Sequence, residues 1–444
     1  MPTLTHHQAN LLDGLFRIAP DSTVARLEVA LANEAEKGGP MADVHGLIAH
    51  EAAERRVRRA VFGPVSALCG VGGSVGVRFP RRVIAQLWDA LKTTQPDLVS
   101  AAEGAWSRGE DDQIAPADIY NRLCAAAAEG LQNESTAFAA ARATLEQAGP
   151  GVAQDFNGFL ALVPLGRQAT TRLPDWVGRL NDEKAAAARL AYKDAVTLSE
   201  DAGPRLFDLL LANLPHPWMI LRVMSAVMDR PKDSFVAASE LARFGEFVLN
   251  DIDQRLAQFR KFEPEHGREA GIDASELLHV VAQEIAEFDT SIDLKKDGPW
   301  GQRVVKQRQA MAQLAETRFG QIEKAIDQAL PLQMVRFGKG LRGQPKLIAD
   351  PDPHLVRRAE GLLGFFDHTR AYASQFGFGA SRAKVAEMLS AKLDQYVEDL
   401  LELLRADEFT HMDRVRAYLE IAADFTGATV GEQAAQIVRR RAAA

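Results

Sequence analysis

A chain of 444 residues, 47% apolar and 25% charged, is long enough for two or three domains around a sizeable core. Its formal charge of −8 excludes a general nucleic-acid coat, although a local basic patch can still meet phosphate. Two cysteines, Cys69 and Cys124, without CxxC spacing, exclude a disulfide framework and fit a reducing cytoplasm. Arginine outnumbers lysine 38 to 14, which reads first as base composition and only then as a demand for guanidinium chemistry.

Helical periodicity dominates, with no convincing alternating strand. The opening stretch MPTLTHHQANLLDGLF has no basic region followed by an apolar one, so no secretory signal is expected. Asp21 and Ser22 cap a helix reaching Lys37, and Asp43 caps the next, which Gly63-Pro64 should stop near Phe62. Helices then follow from Pro80, from Pro96, from Pro116 or Asp118, and from Glu134. Ala148-Gly149-Pro150-Gly151 is a soft boundary that closes a first domain, 1–150.

Helices are next expected over Val152–Val163 and Asn181–Leu198, separated by a turn-rich stretch. The most apolar run, Leu206–Met228, is broken by Pro215, His216, Pro217 and Arg222. A membrane span needs about 20 uninterrupted apolar residues, so this run reads as a buried helical hairpin. Amphipathic helices are predicted over Ser234–Phe262 and Asp273–Phe288. Another runs from Gln302 to Leu330, roughly 43 Å at 1.5 Å per residue. A second domain therefore spans 151–337.

The breaker segment GKGLRGQPKLIADPDP carries Lys339, Arg342 and Lys346 and opens a third region, 338–444, as a linker or docking loop. Asp352-Pro353 starts its first helix, and Thr429-x-x-Glu432 has the spacing of a capping box for the last. Arg439-Arg440-Arg441 suits a helix C-terminus by the macrodipole alone. Phe365, Phe366, Phe376 and Phe378 read as core. The expected fold class is thus all-α, roughly 70% helix in packed antiparallel helices, bundle-like or an irregular array, with no significant β-sheet.

Chemistry concentrates in one stretch, Glu51–Arg82. Seven arginines there face only Glu51 and Glu54, a local +5. Glycines 70, 72, 73 and 76 can bring backbone N–H groups to an anion, with arginines arriving from both flanks and a helix N-terminus close behind. Glu51–Arg55 and Glu54–Arg58 are i,i+4 pairs, which gives two arginines local partners. The candidate binding set is therefore Arg56, Arg59, Gly72, Gly73, Ser74, Arg78, Arg81 and Arg82. The loop is neither a P-loop nor a strand-preceded GxGxxG, so no nucleotide motif is present.

Other signals are weaker. Glu276/His279 and Glu408/His411 have the ExxH spacing of a di-iron bundle, with Glu246 and Glu387 or Glu398 as further ligands. Yet Glu276 already has a capping role behind Asp273, and no metal or other cofactor is expected. Glu110-Asp111-Asp112 reads as a solvated turn, and no GxSxG elbow offers a nucleophile. The sequence-level expectation is a cytoplasmic, non-catalytic adaptor, scaffold or regulator. It would bind an acidic protein or anionic ligand through the Arg/Gly stretch. The alternative is an enzyme or binding protein for a phosphorylated or carboxylated small molecule, with the same stretch lining its pocket.

Overall fold

The computed structural model describes residues 4–35, 39–70, 79–109, 114–179, 181–337, 340–406 and 412–443. Helix makes up 81% of it, and a two-stranded hairpin is the one sheet among the described residues, so the all-α class holds. The chain divides into two compact units, Met1–Asp229 and Arg230–Ala444. The breaks expected at 148–151 and at 338 both fall inside these units. The first is the short connection between two packed helices, the second the hairpin. Glycine and proline mark where a chain turns, not where contacts across the turn cease.

The first unit contains α1 (His6–Ile18), α2 (Asp21–Ala35), α3 (Pro40–Ser66), α4 (Arg82–Thr94), α5 (Pro96–Ser107) and α6 (Ile114–Gln132). It continues through α7 (Ala139–Ala148), α8 (Val152–Ala161), α9 (Val163–Val177), α10 (Asp182–Leu198), α11 (Ala202–Asn213) and α12 (Ile220–Met228). The apolar hairpin α11–α12 is core, with Leu206, Phe207, Leu209, Leu210, Ile220, Leu221 and Met224 all buried. Asn181 caps α10 by accepting from the Lys184 amide at 2.9 Å.

Two expectations fail here. The stretch between α8 and α10 is not turn-rich but helical, as α9. Pro164 is tolerated there because it sits in the first turn, and Gly166 lets Pro64 and Leu209 pack against the helix. Gly63-Pro64 likewise does not stop α3, which runs on to Ser66. Pro64 has no N–H to give the carbonyl of Ala60, and Arg167 of α9 replaces it. Its guanidinium donates to the Ala60 and Val61 carbonyls, both at 2.6 Å. Burial holds the pKa of Arg167 below its ordinary value, because these partners are neutral.

The second unit contains α13 (Asp233–Val236), α14 (Ala242–Arg260), α15 (Arg268–Ser291) and α16 (Pro299–Ala329). The strands β1 (Leu332–Phe337) and β2 (Gly340–Pro345) follow, then α17 (Pro353–His368), α18 (Gly379–Ala406), α19 (Met412–Thr429) and α20 (Glu432–Ala443). The long helix α16 keeps its predicted apolar arc: Val304, Met311, Ala315, Phe319, Ile322 and Ile326 are buried. Beneath it α15 and α17 cross backbone to backbone. A Cβ on Gly271 would sit 2.0 Å from the Gly361 carbonyl oxygen, and one on Gly361 would sit 2.2 Å from the Pro264 carbonyl oxygen, so both positions demand glycine. Phe365, Phe366, Phe376 and Phe378 are buried, as expected.

The predicted 234–262 helix is instead two, α13 and α14, and α15 begins five residues before Asp273, which is mid-helix and cannot cap. Thr429 closes α19, its hydroxyl donating back to the Phe425 carbonyl, so the predicted capping box does not form. Part of the supposed linker is β2, which pairs antiparallel with β1, Leu332 with Pro345 and Val335 with Arg342, while Lys339 lies outside the described residues. Arg342 lies 2.5 Å from buried Asp399, which ties the hairpin to α18.

Candidate anion site

Four elements of the first unit surround a cavity of about 390 Å³. The end of α1 brings Arg17, Ile18 and Ala19, and the start of α2 brings Asp21. The last turns of α3 bring Arg55, Arg58, Arg59 and Ser66, followed by Cys69, and the start of α4 brings Arg81, Arg82, Ile84 and Ala85. Phe79 positions the α4 side. It is buried edge-on against Phe156 and Phe159, and it exchanges backbone hydrogen bonds with Leu68 and Gly70 at 2.9 and 3.2 Å.

The six arginines differ in what holds them. Arg55 is structural. It donates to the carbonyls of Phe16 and Ala19 at 2.6 and 2.9 Å, closing the C-terminal end of α1, and to Glu51 at 2.6 Å. Arg58 is buried and lies 2.8 Å from Glu51 and 4.0 Å from Glu54, while Lys92 of α4 also reaches Glu54, at 3.0 Å. Arg17 pairs with Asp13 at 3.0 Å. Burial lowers its pKa, but Asp13 and Asp89 outweigh that and leave it raised.

The other three are less tied. Arg59 is 76% exposed and 3.7 Å from Asp21, and Arg81 is 2.8 Å from the same carboxylate. Arg82 meets the amide oxygen of Gln147 at 3.0 Å, and no carboxylate among the described residues is within ion-pair reach of it. Asp21 also accepts from Arg55 at 2.5 Å, so one carboxylate is divided among three guanidiniums. Burial opposes its ionisation, but Arg81 and Arg55 prevail and hold its carboxyl below the usual carboxylate range.

The structure thus brings Arg59, Arg81 and Arg82 of the sequence-derived set to one cavity. Arg56 does not line it. It turns to Glu28 of α2, over a smaller groove of about 160 Å³ lined also by Val24 and Ala52. Gly72, Gly73, Ser74 and Arg78 lie outside the described residues. Asp21 and Arg17 were missed by sequence reasoning, because Asp21 reads as a helix cap and its partners lie more than 30 positions away.

The weaker candidates bring little together. Glu276 and His279 are neighbours on the surface of α15, where the imidazole stacks on Tyr372. Glu408, His411 and the 110–112 triplet lie outside the described residues. Among the described residues no group of three or more His, Cys, Asp or Glu is placed to hold a metal ion. Arg439 has more than the helix dipole expected of it, reaching Glu420 at 2.7 Å and Glu432 at 3.2 Å, and Asp424 as well. No described helix is long and apolar enough to cross a membrane. Comparison with family models, curated proteins and solved structures returns no match, so the reading of this site rests on its own geometry and charge.

Proposed function

We propose that the first unit receives an anionic group, carboxylate or phosphate, in the Arg59/Arg81/Arg82 cavity. The protein on this reading is a cytoplasmic adaptor or ligand-binding protein that acts by binding rather than by turnover. One observation carries it: a single carboxylate, Asp21, serves three guanidiniums, while among the described residues Arg82 meets the amide of Gln147 and no carboxylate. Arginine cannot relieve such a surplus by losing its proton, so the remaining charge calls for an anion or for water. The cavity volume lies within the range of small-ligand sites, about 300–1,000 Å³. Binding is favoured over nucleophilic chemistry because burial pushes the thiol of Cys69, beside the arginines, up to about 12. Both cysteines are free, which suits a reducing compartment.

The test is thermal melting of the full chain with inorganic phosphate, pyrophosphate or citrate, against chloride at equal ionic strength. An anion at 100 times its Kd should add about 2.7 kcal/mol, and Arg59→Ala with Arg82→Ala should remove most of that gain. No shift with any of the three, or a shift that survives the double substitution, refutes the reading.

A further inference from the structure

The helix that opens the chain has two apolar faces, and only one of them is used. Leu12 and Phe16 of α1 pack with Val24, Ile48 and Ala52 in the core. Leu11, Leu15 and Ile18 fall within 60° of one another on a 100°-per-residue wheel and face away, 57%, 57% and 79% exposed. Large apolar side chains repeated at i, i+4 and i+7 on the solvent face of one helix are what a helix-in-groove or helix-on-helix contact uses. This stripe is also not isolated, since Ile18 at its end is part of the wall of the arginine cavity, next to Arg17 and Asp21.

We infer that this joined surface docks an acidic amphipathic helix of a protein partner. Apolar side chains one turn apart would lie along Leu11, Leu15 and Ile18. An Asp or Glu in the following turn would enter the cavity between Arg59 and Arg82. The inference rests on the anion reading and deepens it by naming the partner class. Charge complementarity selects the occupant: a second copy of α1 would bring Arg17 against the arginines and only Asp13 in return. Seating the carboxylate at the edge of an apolar contact also strengthens it, because the stripe excludes water from one side of the pair.

The experiment is selection from a displayed library of random 16-residue peptides against the full chain, followed by anisotropy with the peptides recovered. Expected are sequences with Leu, Ile, Phe or Met at i, i+4 and i+7 and Asp or Glu in the next turn. Their affinity should fall at least 10-fold with Leu11→Gln plus Leu15→Gln, and by a similar factor with Arg59→Ala plus Arg82→Ala. The glutamine variant should keep the phosphate or citrate melting shift, which separates failure of this inference from failure of the anion reading. Peptides without acids, or peptides indifferent to the glutamine pair, overturn the proposal. So does a stripe-dependent association with phosphatidylglycerol vesicles in place of any peptide, since that assigns the surface to a membrane.

Discussion

The two units each hold a local imbalance of charge, with opposite sign and opposite outcome. Around Asp21 in the first unit, three guanidiniums share one carboxylate. Between α14 and α15 in the second, two carboxyls share one guanidinium: Arg255 lies 2.7 Å from Asp251 and 3.7 Å from Glu284. The second cluster can be sealed because a carboxyl can take up a proton. As a carboxylate, Glu284 would leave Oε2 buried without a donor. Protonated, it becomes a donor to Asp251. Burial first, and that hydrogen bond to Asp251 second, push its pKa up to about 9 against the pull of Arg255. Guanidinium has no such escape, so the first cluster stays open to a cavity. A surplus of arginine must remain accessible, whereas a surplus of glutamate can be hidden.

The largest test of this contrast is Glu51→Ala. Glu51 is the buried carboxylate between Arg55 and Arg58, and its loss leaves buried Arg58 only Glu54 at 4.0 Å, while Arg55 falls back on Asp21 and the end of α1. The expected cost to the first unit is about 3–5 kcal/mol, read as a lower urea midpoint, and a change under 1 kcal/mol would show that water already reaches the pair.

The second test uses pH. Glu284 has a folded pKa near 9, above its ordinary value of 4.5, so the folded state holds a proton that the unfolded state releases. Its contribution to stability is complete below about pH 4.5 and is lost as pH rises toward about 9. The slope between them is at most about 1.4 kcal/mol per unit. Glu284→Gln keeps the donor and should flatten that slope while raising stability at neutral pH. Parallel pH profiles for the two proteins would place the shared proton elsewhere.

Smaller effects belong to the open cluster. Asp21 has a lowered folded pKa, so its contribution is present above the ordinary aspartate range and lost as pH falls below it. The side chain is half exposed, and screening limits the cost of Asp21→Asn to under about 1 kcal/mol. The same change removes the internal competitor and should tighten binding of phosphate or citrate in a titration. Smallest is Arg59→Ala, which should alter stability by less than about 0.5 kcal/mol, because its ion pair is long and exposed. A large loss there would make Arg59 structural and would weaken the anion reading.

Short-range physics made much of this legible in advance. The start of α10 at Asn181, the Asp352 cap, the buried α11–α12 hairpin and the apolar arc of α16 follow from spacing and side-chain type alone. The arginine surplus of Glu51–Arg82 was legible too, because unequal charge density needs no fold to be seen. Long-range partners were not legible. That α3 continues through Pro64 depends on Arg167, more than 100 positions away, and that the 338–353 stretch is partly a hairpin depends on Asp399 receiving Arg342. The division of the arginines was decided the same way. Arg56 goes to Glu28, Arg55 to the end of α1, and Arg59, Arg81 and Arg82 to a common cavity. Helix formation and capping act largely within a few residues, so sequence alone determines much of both. Which guanidinium is left without its own carboxylate depends on which helices pack together, and only the tertiary structure settles that.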